Sequence, residues 1–104
     1  MTFKMNQSIT GKILTLKLCS GEELIVKVIN VESDSIEVSD PVSIAPGPQG
    51  MGLIPSLFTG DPATSVFINT NNIAIYTETE DAVKMKYIEA TTGITVPSKK
   101  IIMG

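Results

Sequence analysis

Two clusters of short polar side chains stand out in this chain: Ser33-Asp34-Ser35, and Asn69-Thr70-Asn71-Asn72. An Asn amide donates and accepts in one plane and can match the edge of a nucleobase, while Ser and Thr hydroxyls can reach a phosphate oxygen or a ribose 2′-hydroxyl. The same residue types also build turns and cap backbone groups with no ligand at all. Groups suited to bond-making chemistry are scarcer. Cys19 is the single cysteine and no His is present to activate it or to complete a metal site. Glu22-Glu23 and Glu80-Asp81 are adjacent carboxylates, but neighbours on a strand point to opposite faces, and acids at a helix start favour its dipole. The segment Gly47-Pro48-Gln49-Gly50-Met51-Gly52 is glycine-rich, yet it lacks the Lys-Ser or Lys-Thr of a phosphate loop, and its proline removes a backbone donor. These residues predict a protein that is not an enzyme and that takes no cofactor and no metal.

Composition bounds the ligand. The 104 residues carry eight lysines, no arginine and a net charge of −3, so no global positive field attracts a phosphate backbone. Local recognition by a few lysines stays open. The hydrophobic fraction of 42% against 18% charged residues is that of a folded chain, and the length suits one domain over residues 1–104. A chain this short and this rich in Ile and Val predicts apolar surface covered by another copy of itself. One cysteine and a polar start predict a reducing, cytoplasmic setting. No apolar run approaches the roughly 18 residues that would cross a membrane.

The elements that position the polar clusters follow from periodicity. Alternation of Leu14, Leu16 and Leu18 with Ile13, Thr15, Lys17 and Cys19 predicts a strand over about 12–19. Gly21 supplies a tight connection, and a long β-branched second strand runs from Glu23 to Glu32. A polar turn at 32–35 precedes a third strand that begins at Ile36. Residues 41–65 hold five of the six prolines beside Ile44, Met51, Leu53, Ile54, Leu57 and Phe58. That mixture predicts an extended inserted loop packed on its own domain or on a neighbouring subunit. Two short strands then flank Asn69 to Asn72. A switch to helical spacing predicts a helix over about 78–92, with Thr77 and Glu80 as a capping box, Ala82, Met85 and Ile88 following in period, and Gly93 as the C-terminal cap. Ile94 to Gly104 could add an edge strand or pack on a partner.

Leu16-Lys17-Leu18-Cys19-Ser20-Gly21, within a three-strand meander over Leu14 to Val38, resembles the first motif of the Sm and LSm proteins. Val66 to Ile75 resembles the second, in which two short strands flank a basic residue and a glycine. Together they cover about a third of the chain. Val26 stands where the second strand usually bends at a glycine, Asn69-Thr70 replaces the basic pair, and the helix follows the strands instead of preceding them. The likeness is thus to the divergent, phage-encoded members.

The resemblance implies a mainly β fold, a strongly bent five-stranded open barrel of the SH3-like kind, carrying a long insertion and one C-terminal helix. It implies a homo-oligomeric ring of about five to seven subunits, in which the fourth strand of one copy pairs with the fifth of the next. It places Ser33, Asp34, Ser35, Asn69, Thr70 and Asn71 at the pore as candidate nucleic-acid contacts for single-stranded RNA or DNA. Glu32 and Asp34 there would repel phosphate, so Lys27, Lys12 or Lys17 would have to stand close by. The alternative function is a structural or adaptor ring, such as a component of a virus particle, that binds protein through the insertion.

Overall fold

Leu14 and Leu16 set the architecture, because both are completely buried and both lie on one face of the strand that carries them. In the computed structural model, which describes residues 6–48, 50–61 and 63–92, a short 3-10 turn at Gln7–Ile9 leads into strands β1 (Ile13–Leu18), β2 (Glu23–Val31) and β3 (Ser35–Gly47). β4 (Gly50–Pro55), β5 (Val66–Asn69) and β6 (Ile73–Glu78) follow, and helix α1 (Asp81–Thr92) comes last. The six strands form one open antiparallel sheet. Gly21, at φ +97, makes the tight β1–β2 connection where an L side chain would be strained.

The neighbour order is β4-β3-β2-β1-β6, with β5 paired to β3 as well. β5 matches Ser35 to Val38 and β4 matches Val42 to Gly47, so the two share the far edge of β3, one at each end. Along the path β5-β3-β2-β1-β6, four strand spacings of about 4.8 Å would hold the outer strands roughly 19 Å apart if the sheet were flat. They are joined by a 3-10 turn of three residues, Thr70–Asn72, which spans only about 6 Å. The sheet is therefore strongly curled. Its inner face buries Leu14, Leu16, Leu24, Val26, Val28, Val31, Ile36, Val38 and Ile73 in one cluster.

A second, smaller cluster sits on the outer face. Ile25, Val42 and Tyr87 pack there with Ile13, Ile44, Leu53, Val83 and Ile88 around them. α1 covers that face through Val83, Tyr87 and Ile88, whereas Met85, at the predicted apolar spacing, faces solvent. The helix begins at Asp81 and not at 78, because β6 pairs with β1 as far as Glu78 and the Thr79 hydroxyl is 3.0 Å from that of Thr15. Thr77 lies within β6, so the predicted capping box does not form. The C-terminal cap at Gly93 and the edge strand over 94–104 lie outside the described residues.

The loop expected over 41–65 is corrected in its first half. β3 continues through Pro41 and Pro46 to Gly47 and returns as β4, giving six strands where five were expected. The Ser56 N–H donates to the Pro41 carbonyl at 3.0 Å, which makes 41/56, 43/54, 45/52 and 47/50 the bonded pairs of this ladder. Pro46 and Pro55 fall on the alternate positions, whose N–H groups point out of the hairpin, so neither proline removes a bond from it. The residues of β3 paired with β2 end at Ser43, opposite Leu24, so 44–47 and their β4 partners stand out from the sheet as a two-stranded arm. No helix among the described residues is long and apolar enough to cross a membrane.

Candidate functional site

The turn after β2 and the turn between β5 and β6 meet at one edge of the curled sheet. Ser35 stands opposite Asn69 in the β3–β5 ladder. Thr70 is 2% exposed, and both its N–H, at 2.9 Å, and its hydroxyl, at 3.1 Å, donate to the Asp34 carbonyl. The Asn69 side-chain oxygen accepts from the Asn71 N–H at 2.9 Å and so caps the 3-10 turn. Ser33 and the Asp34 side chain face solvent, the turn being closed by the Glu32 N–H on the Ser35 carbonyl at 2.8 Å.

Of the residues singled out by sequence, Ser33, Asp34, Ser35, Asn69, Thr70 and Asn71 thus come together. Their roles divide. Thr70 and Asn69 are engaged in holding the turns, as the turn-building chemistry of these residues anticipates. Asn71, Ser33, the Asp34 carboxylate and Asn69 are exposed, Asn69 with its side-chain oxygen already engaged by the Asn71 N–H.

Lys27 does not join them. It lies opposite Ile13 and Ser39, on the part of β2 beside Tyr87, four residues or about 13 Å before the end of the strand. Lys12 is also committed elsewhere, its ammonium 2.6 Å from Glu78 on the neighbouring β6. The hydrogen bond from Lys12, with its charge, holds the Glu78 carboxyl below the usual carboxylate range.

Lys17 is better placed. The Cys19 N–H donates to the Asn72 carbonyl at 2.7 Å, and the Cys19 thiol to the Asn71 carbonyl at 3.7 Å. Exposed Lys17 is two residues, about 7 Å of strand, from that junction. Sequence spacing alone hid this, since residues 17–19 and 71–72 are far apart in the chain and are brought near one another only by the β1–β6 ladder. The turns themselves, 32–35 and 69–72, carry two carboxylates and no lysine.

Elsewhere, an apolar recess of about 340 Å³ opens between the base of the arm and the end of α1, lined by Pro41, Val42, Leu53, Val66 and Ala90, with Asp40 and Asp61 at its rim. Among the described residues no group of three or more His, Cys, Asp and Glu is arranged to hold a metal. Neither any known protein family nor any curated protein sequence matches this chain.

Proposed function

We propose that this chain is the subunit of an Sm-like ring that is not an enzyme and that holds single-stranded RNA or DNA at its pore. The observation that carries this reading is the strand path β5-β3-β2-β1-β6, curled so that a three-residue 3-10 turn joins its ends and brings the 32–35 and 69–72 turns together. With the β3–β4 arm set aside as an insertion, that path leaves the fourth and fifth strands of the expected five at its two borders, which supports the pairing between copies that the resemblance implies. β5 and β6 each have one neighbour among the described strands, which leaves a row of unpaired backbone groups on each. Phe67 and Ile75 stand on them 57% and 62% exposed. Pairing β5 of one copy with β6 of the next satisfies both edges and covers both side chains, and closed repetition makes the ring.

In the ring each subunit presents Asn71 and Ser33 to the lumen, with Lys17 beside them. Neutral amide and hydroxyl contacts to base edges, each weak, add through repetition around the circle. Glu32 and Asp34 keep phosphates away from the turn itself, so Lys17 is the group that meets the backbone of the strand. The single exposed thiol, Cys19, fits a reducing compartment such as the cytoplasm.

The test is binding of short single-stranded RNA and DNA by fluorescence anisotropy at about 0.1 M salt, a concentration that screens distant charges but not close contacts. Asn71→Ala should weaken binding roughly fivefold or more, as the loss of about 1 kcal/mol per contact requires. Lys17→Ala should weaken it and flatten its salt dependence. Absence of measurable binding by the intact ring would favour a second reading, an adaptor ring of the kind found in virus particles. That reading draws on one specific observation: residues 41–60, which include the arm, contain no charged residue.

A further inference from the structure

Four of the eight large hydrophobic side chains exposed among the described residues fall within eight positions, at Met51, Ile54, Leu57 and Phe58, with Met51 68% and Phe58 78% exposed. All four belong to the β3–β4 arm or to the segment that leaves it. β4 is an edge strand, and the ladder parity set by the Ser56 to Pro41 bond points the backbone groups of Met51 and Leu53 outward. Edge strands are usually protected by lysines or other charges. Here twenty consecutive residues, from Pro41 to Gly60, have none. Such an edge is built to be covered.

The fold also indicates by what. β4 and β5 lie on the same side of β3, so the outer edge of β4 continues the line of the outer edge of β5. A copy whose β6 joins β5 therefore lies alongside the arm. The chain carries a net charge of −3, so an uncharged arm adds no repulsion where two acidic copies approach each other. On β6 and α1, Ile75 and Met85 are the large apolar side chains left exposed.

We infer that the β3–β4 arm is a clasp: it reaches across the joint between subunits and seats Met51, Ile54, Leu57 and Phe58 on the β6–α1 side of the next copy. This rests on the ring reading for the identity of the neighbour, and it adds a second contact to strand pairing. A backbone joint of four to six residues has little side-chain surface. The clasp supplies the apolar burial that makes the joint durable.

Site-specific photo-cross-linking tests this in the full chain. Phe58 is replaced by p-benzoylphenylalanine, and the protein is assembled from equal parts of unlabelled and ¹⁵N-labelled subunits, so that peptide masses distinguish contacts within a copy from contacts between copies. The expected product joins the arm of one copy to the segment Ile73–Thr92 of another. In parallel, Met51→Asp combined with Phe58→Asp should speed subunit exchange on the order of tenfold, a charge having been placed in an apolar contact, with an unchanged far-ultraviolet circular dichroism spectrum. An assembled ring that gives cross-links only within a copy, to another segment or to a foreign protein, or that exchanges at the original rate in the double variant, overturns the clasp and leaves the ring standing. A wild-type protein that stays monomeric overturns both.

Discussion

Tyr87 is the residue on which the outer face of the sheet depends. It is 2% exposed, and its hydroxyl lies within hydrogen-bond distance of two carbonyls, that of Ser39 at 3.1 Å and that of Asp40 at 2.9 Å. Burial, and then the nearby Asp40 carboxylate, push its ionisation well above the ordinary tyrosine value. A folded-state value raised above the unfolded one means that the contribution of Tyr87 to stability is fully present below about pH 10 and is lost as the pH rises further. Urea unfolding at about pH 9 and about pH 11 should show a fall in stability for the wild type and a smaller one for Tyr87→Phe. At neutral pH the same substitution should cost about 1–2 kcal/mol, since it removes the one hydroxyl proton that the Ser39 and Asp40 carbonyls share. Thr70 obeys the same logic at the other end of the molecule, where its two bonds to Asp34 make it a structural residue of the cluster and leave recognition to Asn71, Ser33 and Lys17.

Among the elements, β3 carries the most information. It pairs with β2 along most of its length and changes register between Lys27 opposite Ser39 and Ile25 opposite Val42, which leaves one extra residue on β3. Asp40 takes up that residue in the left-handed region, at φ +52. A β-branched side chain is poorly tolerated there, so Asp40→Val should destabilise the fold by about 1–2 kcal/mol, whereas Asp40→Gly should leave it unchanged or firmer, both read by thermal unfolding. The alternation in Leu14, Leu16, Leu24, Val26 and Val28 made β1 and β2 legible in the sequence, because one face of each is buried against the same core. The arm was not legible. Pro41, Pro46 and Pro55 read as breaks, and only the ladder parity reveals that Pro46 and Pro55 occupy positions where no bond is lost, while the Pro41 carbonyl still accepts from the Ser56 N–H. The start of α1 was misplaced for a related reason: Thr77 belongs to a strand whose pairing with β1 outweighs its capping propensity. In the cluster, residue type announced the turns, but not that Thr70 is buried, that Lys27 lies beside Tyr87, or that Lys17 stands near Asn72. Those follow from register, which a single sequence does not carry.

For the whole molecule, one relation organises the rest. A curled sheet with two open borders, β5 and β6, bears apolar side chains on both, and a neutral arm lies in line with one of them. As a monomer it would expose three strand edges, those of β4, β5 and β6, and eight large apolar side chains among the described residues to water, the surface that aggregating proteins share. In the proposed ring, a closed circle of copies would pair the β5 and β6 edges without leaving new ones, and would collect the 32–35 and 69–72 turns around a common axis. Native mass spectrometry of the full chain at micromolar concentration measures this directly. A single species whose mass is an integral multiple of 11.1 kDa, about five to seven subunits, is the predicted result. A lone 11.1 kDa species under those conditions would contradict it.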